Sequence, residues 1–107
     1  AGIVLAGFSF GAWVGLRVGC EDERVRALVG VGIPADNSDL SYLADCPKPK
    51  LFVQGTQDEF GSPTAVRLVV ERVAPPKELD LVEGADHFFN GKLEELRRAL
   101  RDHFPAR

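Results

Sequence analysis

The stretch Gly7-Phe8-Ser9-Phe10-Gly11 sets a serine between two glycines, each two residues away. A serine hydroxyl becomes a useful nucleophile only beside a base that a third group holds in place. The chain offers two histidines, His87 and His103. His103 lies near the end of a charged C-terminal segment, where a surface cation suits a helix dipole. His87 lies in Glu83-Gly84-Ala85-Asp86-His87-Phe88-Phe89, just past an alternating apolar stretch. Asp58 follows the strand-like Lys50 to Gly55, with Glu59 as the fallback acid. Asp86 is a poor orienting group, because it adjoins His87 and points its side chain away in most loop geometries. Each residue also has a plain alternative. Ser9 could merely cap a helix, His87 could pack a loop, and Asp58 could bond to its own backbone as a turn aspartate. Together they read as nucleophile, general base and orienting acid for acyl transfer.

These residues can meet only if the chain brings them to one edge of a sheet. Ile3 to Ala6 is a short apolar run, which suits a strand buried on both faces of a parallel sheet. Phe10 to Gly19 reads as a helix rich in small residues. Ala27 to Val31 and Lys50 to Gly55 read as the second and third strands. Lys77 to Gly84 alternates, as a strand near an edge does. Ser62 and Pro63 mark a helix start, Ala65, Val66, Val69, Val70 and Val73 give it an apolar face, and Pro75-Pro76 stop it. Leu93, Leu96, Leu100 and Phe104 fall at helical spacing in the last segment. The connection 33–49 is irregular, with room for a helical turn or two in Ser38 to Asp45. The resulting order, β-α-β-loop-β-α-β-α, predicts an α/β fold with about four parallel strands and flanking helices. Each candidate then falls at a strand's carboxyl end, where open α/β sheets carry their sites. The flanking glycines let a strand-to-helix turn around Ser9 form without side-chain clashes.

Composition narrows the rest. The chain has 107 residues and a formal net charge of −3. That length fits a single domain, 1–107, and the absence of a basic stripe argues against nucleic acid. No apolar run approaches the roughly 20 residues of a membrane span, and no signal peptide is visible, so no membrane partner is expected. Cys20 and Cys46 are too few for a disulfide framework or a metal site and fit reduced thiols of a cytoplasmic protein. Oligomerisation stays open. The absence of any Met, together with a strand already in progress at residue 1, leads us to expect a C-terminal portion of a longer chain.

The stretches Gly7 to Trp13, Pro49 to Phe60 and Gly84 to Leu96 resemble the α/β-hydrolase superfamily. More narrowly, they resemble small, cap-less, dienelactone-hydrolase-like predicted hydrolases. The last stretch, with Asp-His-Phe-Phe followed by Gly-Lys-Leu-x-x-Leu, is the most specific. The order Ser9, Asp58, His87 also matches that superfamily rather than trypsin-like or subtilisin-like proteases. The resemblance implies Ser9 as nucleophile, His87 as general base and then acid, and Asp58 as its orienting acid. It implies a partial α/β-hydrolase fold holding strands five to eight, without the N-terminal strands. Dienelactone hydrolase itself typically uses a cysteine, so its substrate is not carried over. The backbone N–H of Phe10 is one oxyanion donor, and the second belongs to a loop before the elbow. Such a piece alone is expected to be poorly stable or weakly active, with an apolar unpaired edge on its first strand.

The function this predicts is hydrolysis of a small-molecule ester or thioester, with no cofactor and no metal. A non-catalytic binding or scaffold module on the same fold and a serine peptidase remain as alternatives. A nucleotide-binding domain lacks its glycine signatures here, and a dehalogenase would want a carboxylate at position 9. Residues 33–43, with Phe60, Phe88 and Phe89, are expected to rim the pocket, unless the aromatics belong to the core.

Overall fold

The apolar runs and helical repeats resolve into eight elements in a computed structural model that describes residues 2–36 and 39–103. They are β1 (Ile3–Phe8), α1 (Phe10–Glu21), β2 (Val25–Val31), a 3-10 turn (Ser41–Asp45), β3 (Lys50–Gly55), α2 (Pro63–Arg72), β4 (Lys77–Val82) and α3 (Leu93–His103). The four strands form one parallel sheet in the order β1-β2-β3-β4. Chain order and sheet order coincide, so every crossover steps the same way. Crossovers of one hand then lie on one face.

The two cores show this division. On one face, Leu28 and Phe52 pack with Ala12 and Leu16 of α1, Leu43 of the 3-10 turn and Val66 of α2. On the other, Val29, Val31, Leu51 and Val53 pack with Val82, Phe89 and Ala99 of α3. Successive residues of β2 and β3 thus feed opposite faces, as the pleat requires, and both strands are buried. Ser62 caps α2 by accepting from the Ala65 N–H, with Pro63 as the first helical residue. The cap stiffens the turn that follows the loop carrying Asp58.

Three expectations are narrowed and one holds. Burial of the first strand on both faces is not seen among the described residues: it is the sheet edge, with Ile3, Val4 and Phe8 exposed, which is the apolar unpaired edge expected of a partial fold. In α3, Leu93 is exposed and Ala99 is buried, with Leu96 and Leu100 packed beside it, so the helix is turned from the phase that its leucines mark. Phe104 lies outside the described residues. In α2 the apolar face holds: Val66 and, just past the helix end, Val73 are core, and Val69 and Val70 pack against them. Of residues 33–43, Pro34 lines the cavity beside Ser9, whereas Ile33, Leu40 and Leu43 are core and positions 37 and 38 lie outside the described residues.

Candidate active site

β1 ends at Phe8 and α1 begins at Phe10, leaving Ser9 alone to make the turn. Its φ of 56° and ψ of −124° lie where non-glycine residues rarely go. Such a conformation costs on the order of 1–3 kcal/mol and holds only where its surroundings fix it. Here the Ser9 N–H donates to the Val31 carbonyl at 3.0 Å, and the Ser9 carbonyl accepts from Ala12 at 2.9 Å. The Ser9 side chain makes no capping bond to α1, so its hydroxyl is free of the role that a cap serine would have.

The two glycines around it differ. A Cβ on Gly7 would lie 2.6 Å from Ala12 Cα and 2.7 Å from the Gly11 carbonyl oxygen, so the strand and helix approach too closely for any side chain. A Cβ on Gly11 would meet nothing within 4 Å among the described residues. Only Gly7 is needed for space there, which narrows the expectation that both were.

His87 reaches Ser9 by crossing the sheet. β1 and β4 are opposite edges, roughly 14 Å apart at the usual strand spacing. The loop after β4 therefore passes over the ends of β3 and β2. Gly84 N–H donates to Thr56 Oγ1 at 2.8 Å and Gln57 N–H donates to the Ala85 carbonyl at 2.9 Å, which pin the loop onto β3. Gly55 makes the passage fit, since a Cβ there would stand 2.3 Å from the Ala85 oxygen. Asp86 Oδ1 accepts from the Phe88 and Asn90 N–H groups, and Oδ2 accepts from Asn90 Nδ2, closing the turn that aims His87. These bonds from Asn90 hold the Asp86 carboxyl below the ordinary aspartate range. Phe89 takes a φ of 56° and turns into the core, so it is no part of the pocket.

The three predicted residues meet. His87 Nε2 lies 2.8 Å from Ser9 Oγ, across 78 residues of sequence. His87 Nδ1 lies 2.9 Å from Asp58 Oδ2. An ionised carboxylate only accepts, so Nδ1 carries the proton and donates it to Asp58. The Nε2 lone pair then faces the Ser9 hydroxyl. Asp58 uses its other oxygen for its own turn, Oδ1 accepting from Phe60 N–H at 2.8 Å and Gly61 N–H at 3.2 Å. It is both a turn aspartate and the partner of His87. Glu59 and Asp86 are not bonded to the imidazole. His103 sits exposed on α3.

One contributor was not singled out in the sequence. Gln54, wholly buried in β3, donates from Nε2 to the Ile33 and Gly61 carbonyls, both at 3.0 Å, shares one of those hydrogens with Asp58 Oδ2 at 3.3 Å, and accepts from the Ile33 N–H through Oε1. It ties the end of β2 to both ends of the Asp58 turn. Its only signal was a polar residue inside an otherwise apolar strand.

Ser9, Phe10, Pro34, Phe60, His87 and Phe88 line an open cavity of about 270 Å³. Phe10 opens α1, so its N–H has no carbonyl one turn back to bond. A second cavity of about 370 Å³ lies between the 3-10 turn and α2, away from these groups. The described residues hold no cluster of three metal-binding side chains and no helix long and apolar enough to cross a membrane. Cys20 and Cys46 are free thiols.

Comparison with known proteins agrees with this architecture. An uncharacterized protein of Rickettsia prowazekii (strain Madrid E) is 31% identical over 108 residues, covering 94% of this chain and 45% of the relative. Among solved structures, a putative alpha/beta hydrolase of unknown function from Agrobacterium tumefaciens superposes with a TM-score of 0.89 at 29% identity, over 95% of this chain and 49% of that one. An alpha/beta serine hydrolase homologue from Coxiella burnetii gives 0.86 at 37% identity, over 96% of this chain and 49% of that one. A lidless a/b serine hydrolase from Xanthomonas campestris gives 0.79 at 35% identity, over 97% and 49%. The chain thus spans about half the length of these relatives. The sequence model of an alpha/beta hydrolase domain matches residues 1–100, and the chain belongs to that family.

Proposed function

We propose that the protein containing this chain is a serine hydrolase that cleaves an ester or thioester by acyl transfer to water. The observation that carries this reading is the unbroken run of bonds from Ser9 Oγ through both nitrogens of His87 to Asp58 Oδ2. Ser9 Oγ attacks the acyl carbon while its proton passes to His87 Nε2, and Asp58 steadies the imidazolium that forms. The oxyanion takes the Phe10 N–H as one donor. In this fold the second donor comes from a loop after an earlier strand, and one such donor is worth about 10²–10³ in rate. Collapse breaks the bond to the leaving oxygen or sulfur, which departs with the proton from His87. Water then loses a proton to Nε2 as it attacks the acyl group, and collapse breaks the Oγ–acyl bond while Nε2 returns that proton to Ser9 Oγ, releasing the acid. The lidless neighbour from Xanthomonas campestris supports an open site that admits small or flexible substrates. The test is to label the full-length protein with a fluorophosphonate and map the adduct by mass spectrometry. An adduct on Ser9 that disappears in Ser9→Ala is expected. Absence of any adduct on Ser9 favours the scaffold alternative and removes this reading.

A further inference from the structure

We infer that the cavity beside Ser9 receives the alcohol half of an uncharged ester bearing an aromatic ring of about phenyl size. This rests on the hydrolase reading above. His87 Nε2 must hand its proton to the leaving oxygen, so the leaving group lies over the imidazole. That imidazole is ringed by phenylalanines: Phe60 at a centroid distance of 4.7 Å, Phe88 at 5.0 Å and Phe8 at 5.2 Å. Phe60 and Phe88 meet it edge-on, which leaves ring surface facing the cavity. Among the described residues Phe60 is 46% and Phe88 61% exposed, and both line the cavity rather than the two cores. An exposed apolar cluster of this kind around a nucleophile marks a binding surface. A space of about 150 Å³ holds a benzene ring. The cavity here, about 270 Å³, has room for the ring and a short linker.

Charge points the same way. Among the described residues the lining carries no Lys or Arg to pair with an anionic substrate. The nearest charges along the chain are carboxylates: Asp36, Glu59 and Asp86 lie within two residues of Pro34, Phe60 and His87. They repel an anion further. Asp36 and Asp86 are engaged with Ser62 and Asn90, and none of the three, Glu59 included, is among the described lining residues, so they form no anionic floor for a cation.

The test compares kcat/KM of the full-length protein on four acetate esters with alkyl alcohols: 2-phenylethyl acetate, ethyl acetate, 4-acetoxybutanoate and acetylcholine. The expected preference for 2-phenylethyl over ethyl acetate is about tenfold or more, from apolar burial and ring contacts. The anionic ester should fall below ethyl acetate, and acetylcholine below 2-phenylethyl acetate. Phe60→Leu and Phe88→Leu should each shrink the preference to about threefold or less, as ring contacts are lost. Leu68→Ala, exposed on α2 and outside this cavity, should keep the full preference. Preference for the anionic or cationic ester, or a ratio that neither Phe substitution lowers, overturns the inference. So does failure to turn over any of the four while Ser9 still takes the fluorophosphonate. Loss of that labelling itself would instead remove the hydrolase reading beneath it.

Discussion

Gln54 and Asp58 stand four residues apart and are joined side chain to side chain, Nε2 to Oδ2 at 3.3 Å. The same oxygen receives the His87 Nδ1–H, so the strand interior, the turn and the imidazole share one atom. A strand residue therefore sets where the acid sits. Gln54→Leu removes this bond and strands the Ile33 N–H and Gly61 carbonyl, at roughly 1–3 kcal/mol for each buried group left unpaired. The melting temperature should fall, and Ser9 labelling by a fluorophosphonate should slow by about tenfold or more when compared well below that melting point. Gln57→Ala, exposed one turn away, should change neither. A Gln54→Leu protein that labels at the normal rate would show that Asp58 holds its place alone.

His87 and His103 separate the imidazole that faces Ser9 from one that does not. His87→Ala should lower the labelling rate by about 10⁴-fold or more, since triad members act as a unit. His103→Ala should leave it within twofold. Equal losses in the two variants would mean that the effect is on folding.

The elbow glycines should behave unequally. Gly7→Ala forces a Cβ to 2.6 Å from Ala12 Cα and should prevent Ser9 from reaching His87, seen as lost labelling and a lower melting temperature. Gly11→Ala enters open space among the described residues and replaces a poor helix former, which is worth up to about 1 kcal/mol in favour of α1. Denaturant midpoints of the two variants check this, and a destabilised Gly11→Ala protein would contradict it.

Asp86 gives the His87 loop an acid limit. Its carboxyl is held below the ordinary range by Asn90 and the Phe88 and Phe89 amides, and the unfolded group titrates near about 3.9. A depressed carboxyl stabilises the fold above the unfolded value and loses that contribution as pH falls through the folded one. The difference in melting temperature between the natural protein and Asp86→Asn should be constant above about pH 5 and close progressively in stronger acid. A difference that persists unchanged below that pH would place the effect elsewhere.

Cys20 should be inert. Burial and the adjacent Cys46 thiol push it up to about 12, leaving almost no thiolate near neutrality. Iodoacetamide at pH 7.5 should modify it far more slowly than a free cysteine, and faster only once the protein is unfolded. Rapid alkylation of the folded protein would argue for an opening of α1 away from the chain around Cys46.

Local chemistry was legible in the sequence where its partners were close along the chain. Lys50 to Gly55 emerges as β3 with the bounds read from its apolar run, and Ser62 with Pro63 begins α2 as their types demand. Ser9, Asp58 and His87 were legible because each follows a strand, and parallel strands bring their ends to one edge. What depended on distant partners was not. β1 looks like a buried strand, yet its exposure depends on what pairs beyond it. Gln54 reads as a stray polar residue, since its bonds to Ile33 span 21 positions. Phe88 and Phe89 are indistinguishable by type, and a positive φ at Phe89 sends one to the core and leaves the other outside.

The loop that carries His87 across the ends of β3 and β2 ties chemistry to the order of assembly. A partly folded chain with β1 and β2 paired already has its strained serine, but no base. The base arrives only when β4 docks and Ala85 settles over Gly55. Reactivity at Ser9 thus reports the docking of β4 and its loop, and time-resolved labelling during refolding would record it directly.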